Sequence, residues 1–226
     1  MNNKDYEAWE ERLEENQEPE SKEQKSTPSG QKTVLLYLHD MVYLLAIAIV
    51  ALLLCFRVVV VSGTSMNTTL LDGDYLLLLS NTFYHNPQYG DIIVAAKDSF
   101  KDGEPIVKRV IATEGQWVDI DFEKGIVFVS DDGMTTWRQL DEPYTNTPTN
   151  VQEGVQFPLY VEEGCLFVMG DNRNGSRDSR SPDIGLVDKR EVLGKVIFLF
   201  LPGTNGTDSS GQPNEERDFG RIGVVD

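Results

Sequence analysis

The stretch "TVLLYLHDMVYLLAIAIVALLLCFRVVVVSGTSMNTTLLDGD", residues 33–74, divides the chain in two. From Met41 to Phe56 it carries no charge, and between Val34 and Val61 only His39, Asp40 and Arg57 interrupt the apolar pattern. A bilayer core takes about 20 residues of helix. The valines after Arg57 supply the needed length, and Arg57 can snorkel to the interface. A cleaved secretory leader has an apolar core of about 7–15 residues and small residues at its cleavage site. This run is longer and follows a polar segment. Its "LLLC" at 52–55 also lacks the small residues expected before a lipid-modified cysteine. Residues 33–57 therefore read as an uncleaved transmembrane anchor. Lys25 and Lys32 favour a cytoplasmic amino side, and Arg57 weighs against it. Beyond the valines stand Ser62, Gly63, Thr64 and Ser65, either a plain turn or a serine presented at the membrane surface.

On the amino side, residues 1–32 are rich in Glu, Gln, Ser and Lys. They bury too little apolar surface to offset ordering entropy, which reads as a disordered cytoplasmic tail. On the carboxyl side the pattern becomes short β-like runs at 75–80, 91–96, 106–112, 117–130, 160–170 and 191–200. The run from Trp117 turns at Glu123-Lys124-Gly125, and Val161 to Phe167 turns at Glu162-Glu163-Gly164, so both read as hairpins. No long stretch has helical period. The expected fold is mainly β, an antiparallel ectodomain over residues 58–226. Residues 131–157 read as a small inserted subdomain and 203–218 as a flexible loop.

The net charge of -17 argues against nucleic acid, which needs a basic face. The two cysteines, Cys55 and Cys165, fall inside and outside the apolar run, so no disulfide is expected. Without a CxxC or Cys/His cluster, no metal and no cofactor are expected. A metalloprotease would want a motif such as HExxH, and there is none. A Ser-His-Asp triad needs a histidine on the serine's side of the membrane. His39 sits at the anchor's edge and His85 in a loop-like stretch, which leaves lysine as a candidate base. A lysine accepts a proton at neutral pH only if burial lowers its pKa. Lys108 in "PIVKRVIA" is surrounded by Ile106, Val107, Val110 and Ile111, and Arg109 should point to the other face of the strand. The loop "VMGDNRNGSRDSR", residues 168–180, packs side chains that fix loops tightly. In it Asp178 and Arg180 can pair, and Ser176 can orient an amine. By composition alone a polar turn is the favoured reading.

Together these segments resemble the bacterial type I signal peptidases, membrane-anchored serine proteases with a Ser-Lys dyad. "SGTSMNTTLLDGD" resembles the nucleophile box, "YGDIIVAA" the Gly-Asp strand, and "VKRVIATEGQ" the lysine box. "GDNRNGSRDSR" matches the family's G-D-N-R-x-x-S-x-D-S-R at every fixed position. The resemblance spans roughly Val58 to Phe200 and implies a fold of the signal peptidase/LexA-like type. It implies Ser65, before Met66, as nucleophile, Lys108 as general base, Ser176 as the lysine's holder, and Asp178 and Arg180 as buttresses. It also implies an oxyanion site at the Ser65 N–H and around Gly63, where some members carry a serine; Ser62 or Thr64 could give a second donor. Val60, Val61 and Ile106 are expected to line the path of an extended peptide. The implied partners are signal-peptide-bearing preproteins and the lipid bilayer, with the catalytic domain extracytoplasmic; a monomer is the default expectation. Thr68 stands where the family usually has Pro, and "ATEGQ" replaces the usual Gly-Leu-Pro-Gly-Asp. Two other readings remain open: an inactive membrane-anchored binding module on the same β fold, and a LexA-like self-cleaving protease.

Overall fold

The computed structural model describes residues 30–97, 99–100, 103–204 and 217–225. The predicted tail, apart from the helical backbone of its last residues, and most of the predicted flexible loop at 203–218 lie outside them. Two units are distinguished, residues 1–47 and 48–226. Helix α1 spans Gly30–Cys55. Its stretch Thr33–Cys55, 23 residues, is long and apolar enough to cross a membrane. At 1.5 Å per residue it measures about 35 Å, against a hydrocarbon core of about 30 Å. Its apolar side chains from Val34 to Leu54 are exposed all round. The helix ends two residues before the expected anchor boundary. Phe56 and Arg57 already belong to strand β1 (Phe56–Val60) and pair with Leu79 and Leu78.

The rest is antiparallel β. Strands β2 (Tyr75–Ser80), β3 (Ile92–Ala96), β4 (Pro105–Thr113), β9 (Cys165–Met169), β10 (Val187–Asp188) and β11 (Val192–Leu201) join β1 in one sheet. Its order is β1-β2-β11-β3-β4-β9-β10, and the short β12 (Gly223–Val224) pairs with β11. A second sheet runs β7-β6-β5-β8 from Arg138–Gln139, Ile126–Ser130, Trp117–Asp121 and Leu159–Tyr160. In β2, β5 and β6 alternate residues are buried, as a half-covered sheet requires. The turn between Asp121 and Ile126 makes the predicted hairpin from Trp117. The second predicted hairpin is not formed. Leu159 and Tyr160 pair with Val118 and Trp117, whereas Cys165–Met169 pairs with β4 and β10. Both edges of β9 are occupied there, and Val161 is bonded to Gln116 and Gly115. The Glu162-Glu163-Gly164 turn therefore joins two sheets.

Three apolar clusters fill the fold. One lies under the second sheet, around Val118, Val127, Val129, Leu140, Phe167 and Met169. A second combines Leu76, Leu78, Ile92, Val94 and Val196 with Val61, Met66 and Leu70. Met66 and Leu70 are fully buried, each contributing roughly 1.5–3 kcal/mol. They pin the loop that carries Ser65. The loop's ends are tied as well: Val61 N–H donates to Asp74 O (2.9 Å), and Gly73 N–H to Val61 O (2.9 Å).

Buried Asp74 closes this loop. Its carboxylate accepts from Leu71 N–H (2.7 Å) and Gly203 N–H (2.6 Å), and pairs with both terminal nitrogens of Arg221 at 2.9 and 2.7 Å. Removing the guanidinium leaves a buried carboxylate with backbone donors alone. Arg221→Ala is expected to cost about 2–3 kcal/mol and to lower Tm by roughly 4–12 °C in a thermal melt of the detergent-purified protein.

Candidate active site

Strand β4 delivers Lys108 and Arg109 to two different networks. Lys108 Nζ lies 2.7 Å from Ser65 Oγ, across 43 residues of sequence. The lysine side chain is 4 % exposed. Burial pulls its pKa from the ordinary 10.5 to about 8; Asp178, Glu153 and Asp171 oppose that shift and Arg180 adds to it. Arg109, one residue on, turns to Asp171: its Nε and Nη2 each donate to a carboxylate oxygen at 2.9 Å. Its third nitrogen donates to Gly90 O, and its guanidinium lies 3.9 Å above the centre of the Tyr144 ring, a favourable cation–π position. Thr69 Oγ1 donates to the same Asp171 at 2.5 Å. The strand next to the lysine is thus bonded to the loop next to the serine.

The loop at 170–180 forms the floor. Asn172 N–H donates to Ser65 O and its side chain to Thr64 O, both at 3.0 Å. Gly170 lies directly beneath. A Cβ there would fall 2.4 Å from Ser65 O and 2.2 Å from Ser176 Oγ, so no side chain fits. Gly170 N–H donates to Asp178 Oδ2 at 3.0 Å. Asp178 is held by Arg180 through Nε and Nη2, both at 2.8 Å, and neither side chain is exposed. Asp178 and Arg180 therefore brace the backbone under the serine.

Two expected contacts take a different form. Ser176 Oγ is buried but makes no hydrogen bond among the described residues. It faces Gly170, and Lys108 is bonded to Ser65. Gly63 adopts φ +94, a conformation natural to glycine, and its N–H donates to Asp72 Oδ1 at 2.7 Å. That donor is spent inside the loop, so Gly63 shapes the turn. The N–H of Ser65 is bonded to no acceptor among the described residues.

Val60, Val61 and Ile106 line a cleft of about 500 Å³ that also reaches Ser65 and Lys108. His85 is exposed and lies elsewhere, among residues such as Asn81, Tyr84 and Lys189. No group of three His, Cys, Asp or Glu side chains is placed to hold a metal among the described residues. Sequence reading gave no role to Thr69, Asp171, Arg173 or Glu142. Arg173 pairs with Glu142 at 2.5 and 2.8 Å and bonds Gly170 O at 3.2 Å. Asp171 and Arg173 sit inside the recognised motif. Glu142 and Tyr144 lie in a stretch with no local signal.

A hydroxyl and a buried amine in contact, on a braced loop beside a cleft, are the parts of a nucleophile and its base. Residues 34–201 match the family model for signal peptidase, peptidase S26. The chain belongs to the peptidase S26 signal peptidases. It is 33% identical over 177 residues to a probable signal peptidase I-1 of Synechocystis, covering 74% of this chain and 84% of that one. It is 31% identical over 189 residues to a signal peptidase I of Bacillus licheniformis, covering 80% and 95%. A solved signal peptidase I from Enterococcus faecalis aligns at 28% identity over 49% of this chain and 96% of its own, with a TM-score of 0.38.

In this signal peptidase family member the buried lysine carries a stability cost. Its folded pKa, about 8, lies below the ordinary 10.5, so the unfolded chain binds the proton more tightly. Below about pH 8 the cost is present in full, about 3 kcal/mol. It fades as pH rises through 8 and is gone above 10.5. Lys108→Met, of similar length and no charge, is expected to raise the stability at pH 7 by about 2–3 kcal/mol in denaturant titrations, with the gain vanishing near pH 10.5.

Proposed function

We propose that this chain is a single-pass membrane endopeptidase that removes signal peptides from preproteins, with Ser65 as nucleophile and Lys108 as general base. The observation that carries the reading is the 2.7 Å contact between Ser65 Oγ and the buried Lys108 amine. The pKa near 8 supports it, because a useful fraction of the amine is then neutral at working pH.

The substrate enters extended. Strand β4 pairs with β9 from Arg109 onward, which leaves one edge of Pro105–Lys108 unpaired among the described residues, and β1 pairs with β2 on one side. The cleft lies between these segments. A peptide strand added here exchanges main-chain bonds with both edges. Valine and isoleucine walls favour small side chains beside the scissile bond. Neutral Lys108 takes the Ser65 proton as Oγ forms a bond to the scissile carbonyl carbon, and the carbonyl electrons move onto oxygen. The unbonded Ser65 N–H is the donor for that oxyanion, a contribution of about 2.7–4 kcal/mol for such donors. Collapse breaks the C–N bond, and the Lys108 ammonium protonates the leaving amine. Lys108 then takes a proton from water as its oxygen bonds the ester carbonyl carbon; collapse breaks the bond to Ser65 Oγ, which takes the proton back from Lys108 and releases the acid. Ser176 Oγ is the group to take an amine hydrogen bond once Ser65 is acylated.

The anchor keeps this chemistry on the extracytoplasmic side of the cell membrane, with the amino terminus cytoplasmic. Tethering enzyme and preprotein to one surface raises their effective concentration.

Ser65→Ala and Lys108→Ala are each expected to lower preprotein cleavage in detergent by more than about a thousandfold; wild-type rates in either variant would contradict the assignment. A base with pKa about 8 also fixes the pH profile. For a fluorogenic signal-peptide substrate, kcat/KM should rise about tenfold per pH unit below that value and level off above it. A flat profile from about pH 6 to 9 would rule out Lys108 as the base.

A further inference from the structure

The loop at 170–180 presents two kinds of arginine. Arg173 and Arg180 are buried, and their guanidinium groups are taken up inside the fold. Arg173 pairs with Glu142, and Arg180 with Asp178, with Glu153 Oε1 at 3.6 Å. Arg177, between them in sequence, is different. Its side chain is 62% exposed and borders the cleft that reaches Ser65 and Lys108.

The Arg177 backbone is fixed on either side. Ser176 is buried against Gly170, where a Cβ would also meet Ser65 O, so this stretch lies at the dyad end of the cleft. Asp178 is bonded to Gly170 N–H and to Arg180. What can adapt is the long side chain of Arg177. Its guanidinium sits 2.6 Å from the carboxylate of Asp183, itself half exposed. Asp183 lies on a turn held by Ser181 N–H to Asp178 O at 2.8 Å, and by Ser99 Oγ to its own carbonyl at 3.3 Å. Asp183 therefore stations the guanidinium beside the cleft. An exposed ion pair is weak, and the guanidinium fork has donors for a second carboxylate.

The other charges bordering the cleft give it a direction. Glu104 stands just before β4, four residues from Lys108, a separation of roughly 13 Å along an extended strand. A carboxylate thus marks the far end and a guanidinium the dyad end. Lys108 is buried and bonded to Ser65, so it is not a partner for a substrate side chain. In a chain of net charge -17 an acidic peptide meets repulsion over most of the surface, and Arg177 is a local exception. We propose that Arg177 is a specificity-determining residue that favours preproteins carrying an aspartate or glutamate within two residues of the scissile bond.

This inference rests on the peptidase reading, because it concerns the substrate of the same cleft. The chemistry is side-chain recognition and not proton transfer. A substrate carboxylate here gains charge-assisted N–H···O bonds to the fork of the guanidinium. Solvent weakens that gain, and salt reduces it further. The preference acts alongside the choice of small side chains by the valine and isoleucine walls. In an extended peptide, successive side chains point opposite ways, so those that leave the walls are open to a second criterion.

The test uses the full-length protein in detergent with fluorogenic signal peptides. A neutral parent is compared with versions bearing Asp or its isostere Asn at one position: two before the cleaved bond, one after it, or two after it. At low salt the wild-type protein should cleave the Asp version of at least one pair about three- to tenfold more efficiently than the Asn version. The gain should come from a lower KM and not a higher kcat. Arg177→Gln should abolish the difference, Arg177→Lys should keep part of it, and Arg177→Glu should reverse it. Added salt should shrink it in the wild type. An Asp–Asn pair four residues before the bond, out of the guanidinium's reach, should give a ratio that Arg177→Gln leaves in place. Equal cleavage of Asp and Asn versions at all three near positions, or a preference that survives Arg177→Gln, overturns the proposal alone. If the wild-type protein cleaves no peptide, the parent included, the peptidase reading falls and takes the proposal with it.

Discussion

The structure depends on keeping one amine out of water beside one hydroxyl. Lys108 is buried, and its ammonium form is disfavoured there by solvation that the protein does not replace. A long, flexible side chain under that penalty would swing toward solvent unless its surroundings were rigid. The surroundings are rigid because the neighbouring charges are each fixed by geometry. Asp178 and Arg180 lock the floor, Arg109 and Asp171 lock strand β4 to the Ser65 loop, and Arg173 with Glu142 ties the same floor to the segment before β8. Such buried pairs contribute little net stability. Their value here is placement.

The serine is constrained from three directions. Met66 and Leu70 sink into the apolar cluster below it. Asn172 holds the carbonyls of Ser65 and Thr64 from the motif loop. Asp74, clasped by Arg221, closes the far end of the loop. Arg221 lies beyond residues 34–201, the span shared with the family model. In this chain the carboxyl-terminal segment thus takes part in holding the loop that carries Ser65.

Much of this was legible in the sequence, and the reason is local. An apolar run announces α1, alternation announces β2, β5 and β6, and the motif at 168–180 is dense enough to be recognised on its own. Ser65 and Lys108 could be singled out because the resemblance gave each a role. What stayed hidden depends on pairing between distant segments. Nothing near Leu159–Tyr160 indicates that it joins β5 and not Cys165–Met169. Glu142, Tyr144 and Glu153 come from a Thr-, Asn- and Pro-rich stretch whose partners lie 27–35 positions away, or further. Gly63 was matched by position to an oxyanion residue, yet its N–H is taken by Asp72, a contact that exists only once the loop has closed.

The most direct test of the account is to trap the acyl-enzyme. The protein is mixed with a signal-peptide ester, quenched in acid, digested and mapped by mass spectrometry. The account predicts the peptide acyl group on Ser65, in an amount that rises with pH through about 8 and is absent in Lys108→Met. An adduct on another residue, or the same Ser65 adduct forming as fast without the lysine, would contradict it.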